Sequence, residues 1–126
     1  MSKIRSKNTK PEIFVRRYIF ERGIRFRKNV TDLPGKPDIA IKKYKVALEV
    51  RGCFWHGHEN CNDFRLPKSR IEFWREKIGK NIERDIRNQQ KLINLGYLVF
   101  IVWECELDRK DYSSVDEFIS YVKSIT

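Results

Sequence analysis

Residues 38–61 read DIAIKKYKVALEVRGCFWHGHENC, and this stretch decides how the rest of the chain must fold. Two apolar runs, at 38–41 and 46–50, flank a short polar turn, which predicts a β-hairpin. The segment after residue 51 has no regular hydrophobic period and holds two of the three cysteines and both histidines of the chain. The sequence therefore predicts a hairpin that leads into a loop rich in metal-binding side chains.

Helices are predicted on both sides of the hairpin. Residues 9–12, TKPE, fit a capping box with proline in the first turn, and Gly23 ends the helix that they open. A short strand is predicted at 24–26. A second capping box at 69–72, SRIE, opens a long helix that ends before Gly96. The apolar face of this long helix is predicted to carry Ile71, Trp74, Ile78, Ile82 and Ile86.

The last third of the chain predicts one more strand and one more helix. Residues 97–103, YLVFIVW, form an almost unbroken apolar run, which indicates a central strand covered on both faces. Ser114 is predicted to cap a final helix. The long connection between strands 46–50 and 97–103 suits a crossover between parallel strands. We therefore expect an α/β fold with a central mixed sheet flanked by helices, as a single domain over residues 1–126 with a basic arm at 1–8.

The composition is that of a basic globular chain. Lys and Arg number 27 against 17 Asp and Glu in 126 residues, which gives a formal net charge of +10 and a pI near 9.7. This balance favours nucleic acid as the partner, the alternative being a soluble protein that is merely basic. No apolar stretch approaches the roughly 18 residues of a membrane span and no signal peptide is evident, so we expect a cytoplasmic protein without a membrane partner.

An acid pair is predicted at the hairpin. Asp38 falls roughly opposite Glu49, and cross-strand neighbours have Cβ atoms about 5 Å apart. Two carboxylates this close repel each other unless a cation or a proton lies between them, and Mg²⁺ prefers such oxygen ligands. The alternative is that Asp38 only ends a turn and that Glu49 points to solvent.

Two cationic or titratable side chains follow the acid pair. Arg51 is a candidate for binding the scissile phosphate, and it cannot act as a base because arginine stays protonated. His56 is the candidate general base, because histidine titrates near neutral pH. The alternatives are a surface cation for Arg51 and a packed or solvated loop residue for His56.

The cysteines and one histidine form a candidate metal site. Their spacing is Cys53-x4-His58-x2-Cys61, with Cys105 far downstream. Thiolate and imidazole match the preferences of Zn²⁺, and a full tetrahedron leaves no open position, so the predicted zinc is structural. The alternative is a set of unrelated buried thiols.

Large aromatic residues lie near these sites. In a basic protein, exposed Phe54, Trp55 and Trp74 can stack on bases or wedge between base pairs. The alternative is that all three belong to the core.

Five longer motifs resemble those of the very short patch repair (Vsr) DNA mismatch endonucleases. They are RSKNTKPE at 5–12, LPGKPD at 33–38, GCFWHGH at 52–58, EFWREKIGKNIERD at 72–85 and VWECEL at 102–107. The resemblance implies a restriction-endonuclease-like fold with a structural zinc site. It also implies a Mg²⁺-dependent nick on the 5′ side of the thymine in T·G mismatches, which arise when 5-methylcytosine deaminates.

The resemblance also implies roles for individual residues. Asp38 is similar to the family's metal-binding aspartate, His56 to its catalytic histidine and Glu12 to an acid that supports the active site. The backbone carbonyl of Val50 is expected to face the Mg²⁺. The zinc ligands are Cys53, His58, Cys61 and Cys105, and the aromatic residues that wedge into DNA are Phe54, Trp55 and Trp74.

The chain departs from the family pattern at Arg51, where the family often has histidine or aspartate, and Glu49 is an additional acid. We expect a monomer that acts on duplex DNA. Two other functions stay open: a nuclease of the same fold without mismatch preference, and a catalytically inactive zinc-containing module that binds DNA.

Overall fold

In the described part of the chain, four strands form one mixed sheet, and helices cover both of its faces. The computed structural model describes residues 9–59, 61 and 64–126, so the arm predicted at 1–8 lies outside the described residues. The elements along the chain are α1 (Lys10–Glu21), β1 (Arg27–Lys28), β2 (Ile39–Ile41), β3 (Val46–Arg51), α2 (Ile71–Asn94), β4 (Leu98–Trp103), α3 (Glu104–Asp108) and α4 (Ser113–Ile125).

The sheet has the order β1-β2-β3-β4, and the predicted hairpin and crossover are both confirmed. β2 pairs with β3 in antiparallel fashion, with Ile39 opposite Leu48. β3 and β4 are parallel, from Val46 opposite Leu98 to Arg51 opposite Trp103. Because α2 makes the connection between them, the long helix is the crossover of a β-α-β unit.

The alternation of side chains along β3 separates the two layers of helices. Val46 and Leu48 join the main core with α1 and α4, where Phe118 is the largest fully buried side chain. Ala47 points the other way and packs with Leu92 of α2. Successive strand residues face opposite sides of a sheet, so α1 and α4 lie on one side and α2 on the other.

The prediction that residues 97–103 form a central strand is wrong, because β4 lies at the edge of the described sheet. Phe100 packs against Phe118 on one face and Val99 packs near Leu92 on the other. Burial on both faces gives an apolar pattern without requiring a partner strand on both edges, which is why the sequence was misleading. None of the helices in the described part of the chain is long and apolar enough to cross a membrane.

The capping of three predicted helices differs from what the sequence indicated. α1 begins as predicted, but the Thr9 hydroxyl donates to the Glu12 carboxylate at 2.8 Å instead of capping the helix. α2 begins at Ile71 after Arg70, whose backbone is left-handed, so the capping box predicted at Ser69 does not form. α4 begins at Ser113, two residues before the start expected with Ser114 as the cap, and the hydroxyl of Ser114 donates to Glu106.

Two further predictions shift by one or a few residues. The short strand expected at 24–26 pairs instead at Arg27–Lys28. On α2 the buried residues are Ile78 and Leu92, whereas Ile86 is 64% exposed. Asp85 lies seven residues from each of these two buried residues. The inward face of the helix therefore passes through Asp85 and not through its neighbour Ile86.

The loop after β3 packs tightly on α2 through Gly57. Its φ is +56°, and a Cβ placed there would lie 2.6 Å from Cδ1 of Ile82 and 2.9 Å from Cγ2 of Ile78. Glycine is therefore required both by the left-handed backbone and by the lack of space. Gly79 on the same helix is different, because a Cβ there would meet nothing within 4 Å.

We expect Gly57→Ala to lower the free energy of unfolding by about 2–4 kcal/mol, through overpacking together with the unfavourable φ. The matched control, Gly79→Ala, should raise it by about 0.5–1 kcal/mol because alanine favours helix. Urea unfolding of both variants measures the difference. Equal effects from the two substitutions would contradict the packing described for the loop.

Candidate active site

Three strands terminate at the same end of the sheet, and a cleft lies there. β2 is antiparallel to β3, so the start of β2 lies beside the end of β3, and the parallel β4 also terminates at this end. The residues just before β2 and just after β3 and β4 therefore come together. The result is a cleft of about 1140 Å³, bordered by α2 along one side and by the first turn of α1.

Among the described residues, five carboxylates line this cleft, and two of them, Glu12 and Glu49, lie close enough to Asp38 to act on its charge. Oδ2 of Asp38 accepts a hydrogen bond from the backbone N–H of Val50 at 2.6 Å, which fixes the side chain against the end of β3. Glu12 is only 6% exposed and hydrogen bonds to Asp38. Burial, followed by the negative charges of Glu12 and Glu49, raises the pKa of Asp38 to about 8, although the Val50 N–H works in the opposite direction. The predicted acid pair is thus brought together and enlarged by a third acid.

Glu49 and Arg51 form a nearly buried ion pair on the same face of β3. Oε1 of Glu49 accepts hydrogen bonds from Nη2 of Arg51 at 2.8 Å and from Nε at 3.1 Å. Arg51 is 8% exposed, so it is not a surface cation, and Glu49 does not point to solvent. Both side chains line the cleft.

His56 faces the same cleft and is oriented by α2. Its Nδ1 lies 2.6 Å from Oδ2 of Asp85, and the side-chain amide of Asn81 donates to the carbonyl of Trp55 at 3.0 Å. A carboxylate at Nδ1 favours the tautomer with its proton on that nitrogen, which leaves Nε2 as the proton acceptor. The ring of His56 and the backbone just before it are therefore both held by side chains of α2.

Asp85 and Asn81 are site residues that the sequence reasoning did not assign. Together with Asn88 they form a polar stripe at positions i, i+4 and i+7 of α2, and all three line the cleft. These polar residues are at helical spacing from the buried residues Ile78 and Leu92, and this spacing could have identified them from the sequence. It was missed because the isoleucine repeat was assigned to the inward face.

Four predicted metal ligands are also brought together, and their ligand atoms lie within 4.8 Å of one another: Cys53, His58, Cys61 and Cys105. Cys53 follows β3 and Cys105 follows β4, so the parallel pairing brings the two thiols to one place. The His58 ring stacks on Trp103 with 3.9 Å between centroids. Burial raises the pKa of the Cys53 thiol above its usual range. This group could hold a metal ion.

The three predicted aromatic residues form one cluster beside the cleft. Trp74 contacts Phe54 at 5.5 Å and Trp55 at 5.8 Å between ring centroids. All three are half-buried, so they are neither fully in the core nor fully exposed. Phe54 and Trp55 line the cleft itself, as do the cations Lys77 and Arg84 of α2.

The cleft combines grouped carboxylates, which suit a hard cation, with an oriented imidazole and with cations along its walls. This combination is typical of hydrolases that act on a phosphate-containing polymer, which are the nucleases. The comparisons with known proteins agree with this class. The family model described as "DNA mismatch endonuclease Vsr" matches residues 1–63. This chain belongs to the Vsr DNA mismatch endonuclease family, whose fold is restriction-endonuclease-like, and it is a DNA endonuclease.

Three relatives illustrate the similarity. The chain is 53% identical over 110 residues to a "Type II nicking enzyme V.NmeAIP" of Neisseria meningitidis, covering 87% of this chain and 78% of the relative. It is 48% identical over 107 residues to a "Type II nicking enzyme V.XorIIP" of Xanthomonas oryzae, covering 85% and 78%. It is 49% identical over 85 residues to the "DNA mismatch endonuclease Vsr" of Escherichia coli, covering 68% and 54%.

The raised pKa of Asp38 predicts a pH-dependent stability in the absence of added magnesium. The folded protein keeps this proton up to about pH 8, whereas the unfolded side chain releases it near 3.8. The folded state therefore binds more protons between these values, and the free energy of unfolding falls as pH rises, by up to about 1.4 kcal/mol per pH unit. Urea unfolding from pH 5 to 8 should show this slope in the wild type and a shallower one in Asp38→Asn.

Asp32→Asn is the matched control for this measurement. Asp32 is exposed and pairs with Lys42, and its pKa is lowered by that hydrogen bond, so it does not titrate between pH 5 and 8. The control should keep the wild-type slope. A wild-type slope in Asp38→Asn would show that Asp38 is ionised in the folded protein.

Proposed function

We propose that this endonuclease nicks one strand of duplex DNA on the 5′ side of the thymine in T·G mismatches left by 5-methylcytosine deamination. The proposed cofactors are a catalytic Mg²⁺ and a structural Zn²⁺. The observation that carries the proposal is that His56, oriented by Asp85, shares one cleft with the acids Asp38 and Glu49. Support for mismatch specificity comes from the Escherichia coli relative, which is a DNA mismatch endonuclease by name.

Asp38, Glu49 and the backbone carbonyl of Val50 are the groups that we propose hold Mg²⁺. The donor set fits, because hard oxygen ligands suit this ion and a divalent cation would compensate the charges that now keep a proton on Asp38. The chemistry that a bound Mg²⁺ would supply here is polarisation of the phosphodiester and stabilisation of the leaving oxygen. Glu12 supports the site by its hydrogen bond to Asp38.

His56 is the proposed general base. With its proton on Nδ1 and donated to Asp85, Nε2 accepts a proton from the water that attacks phosphorus. Formation of the imidazolium is stabilised by the Asp85 carboxylate. Asn81 holds the backbone just before the histidine, so the ring position is defined before DNA binds.

Arg51 is the proposed contact to the scissile phosphate. Its guanidinium has five N–H donors, of which Glu49 uses two, so the remaining donors are available to phosphate oxygens. The pairing fixes the guanidinium, which stays protonated, at the end of β3. This charge offsets the negative charge that develops on the phosphate during attack.

Zn²⁺ is the metal that we propose for the Cys53, His58, Cys61 and Cys105 group. Three thiols and an imidazole fit its preference for a closed tetrahedral site. In this position zinc would tie the loop after β3 to the end of β4, on both sides of His56. Its proposed role is therefore structural.

The aromatic cluster is the proposed wedge for the mismatch. Phe54 and Trp55 lie in the cleft, and Trp74 supports both rings from α2. Insertion of such rings costs a few kcal/mol of unstacking, which is smaller at a mismatched pair. This difference is the proposed source of the preference for T·G. We further propose that residues 1–126, including the basic arm at 1–8, act as a single-domain cytoplasmic monomer.

The direct test is nicking of an end-labelled T·G duplex, compared with a matched duplex, with and without Mg²⁺. We expect one nick 5′ of the thymine, only with Mg²⁺ and at least tenfold faster on the mismatch. Asp38→Ala should abolish nicking and spare binding. Equal rates on both duplexes would favour a nuclease without mismatch preference, and no nicking at all would favour an inactive DNA-binding module.

The two histidines provide a matched test of the zinc assignment. His58→Ala should lose bound zinc, measured by elemental analysis, and should unfold at a lower temperature because the loop is released. His56→Ala should keep the zinc content of the wild type and lose nicking. Equal zinc content in both variants would contradict the proposed ligand set.

A further inference from the structure

The N-terminal end of α2 carries an exposed aromatic ring that the proposed mechanism does not use. Phe73 is 45% exposed. Its ring meets Trp74 edge-on, with 5.2 Å between centroids and 82° between planes. On this side of the helix the guanidinium of Arg70 lies 4.3 Å from the centre of the Phe73 ring. The two side chains therefore form a cation–π pair at the surface.

Neither helix propensity nor capping explains arginine at position 70. Its φ is +56°, in the left-handed region that costs an L-residue roughly 1–2 kcal/mol, and glycine or asparagine is better suited there. Its side chain makes no capping hydrogen bond to α2. The side chain of Arg70 instead makes the cation–π contact with Phe73.

The surroundings of this pair are strongly basic. Between residues 64 and 70 the sequence has three cations and no acid, and the side chains of Arg65, Lys68 and Arg70 are all exposed. The first acid of the helix, Glu72, is engaged by Arg75 at 2.9 Å. The positive end of the α2 dipole adds to this charge. A polyanion is the partner that this surface fits.

A continuous row of ring contacts connects the pair to the cleft. It runs from Phe73 to Trp74 and then to Phe54 and Trp55, which line the cleft. A duplex whose mismatch meets the inner rings would therefore continue past the outer end of the row. The ligand expected at that end is the phosphate backbone next to the mismatch.

We propose that Arg70 and Phe73 form a second DNA contact, which binds one backbone phosphate beside the mismatch and outside the catalytic cleft. The inference rests on the proposed function only for the position of the mismatch. The ring holds the guanidinium in one orientation, so its N–H edge can bind phosphate oxygens with less loss of side-chain freedom. Because the contact is to phosphate, it adds affinity without reading sequence.

The salt dependence of binding tests this proposal. Affinities are measured without added magnesium, so no DNA is cut, on T·G and matched duplexes over a range of NaCl concentrations. Each phosphate contact contributes about −0.9 to the slope of log K against log salt for duplex DNA. Arg70→Gly, which tolerates the left-handed backbone, should make the slope shallower by about 0.9 on both duplexes. Arg70→Lys should restore the slope but not the full affinity.

Phe73→Leu separates the ring from the charge. It should weaken binding by about two- to fivefold, the value of an exposed cation–π contact. A second pair offers matched controls: Arg25 lies 5.6 Å from the ring of Phe20, which is 57% exposed and does not line the cleft. Arg25→Gly and Phe20→Leu remove the same charge and ring and should leave slope and affinity close to those of the wild type.

The outcomes distinguish this contact from the proposed function. If Arg70→Gly keeps the wild-type slope, or changes it no more than Arg25→Gly does, the second contact does not exist. If the wild type shows no preference for T·G but the Arg70→Gly slope still falls by about 0.9, the contact stands and mismatch recognition fails. A loss confined to the T·G duplex would overturn the assignment to phosphate.

Discussion

The parallel pairing of β3 with β4 places two strand ends side by side, and the site depends on this arrangement. Cys53 and Cys105 follow these strands, and their thiols meet the imidazole of His58 and the thiol of Cys61 from the loop. The loop between the ligands is thereby held against α2, where Gly57 allows close contact with Ile78 and Ile82. His56 lies inside this held segment, so the position of the imidazole follows from the sheet.

Charge is the second constraint on the site. Glu12, Asp38 and Glu49 converge in a cleft that is partly removed from water, and the pKa of Asp38 is raised to about 8 as a result. Arg51 compensates the charge of Glu49, and Asp85 hydrogen bonds to His56. Arg16 pairs with Glu12 at 3.8 Å, so a divalent cation would take the place of the proton that Asp38 keeps. A net charge of +10 on the whole chain allows such an acidic centre in a protein that binds a polyanion.

Much of this arrangement could be predicted from local pattern. The hairpin places Asp38 next to Glu49 because register follows from the turn, and the three cysteines with His58 match one metal by chemistry alone. The role of Asp85 could not be predicted in this way, since it depends on the rotation of α2 about its axis. Ile86 and Asp85 are neighbours in sequence, and only packing against Ile78 and Leu92 decides which faces inward. The edge position of β4 was missed for a similar reason. A run of apolar residues indicates that both faces of a strand are covered, but it does not indicate whether the strand has a partner strand on each side.

The central claim is that His56 shares one small space with the acids proposed to bind Mg²⁺, and paramagnetic relaxation tests it most directly. Mn²⁺ can replace Mg²⁺ at oxygen ligands, and the chain has only two histidines, whose ring signals can be resolved by NMR. Substoichiometric Mn²⁺ should broaden the ring signals of His56 more strongly than those of His58, and Asp38→Asn should abolish the effect. Sharp His56 signals in the presence of bound Mn²⁺, or equal broadening in Asp38→Asn, would contradict the account.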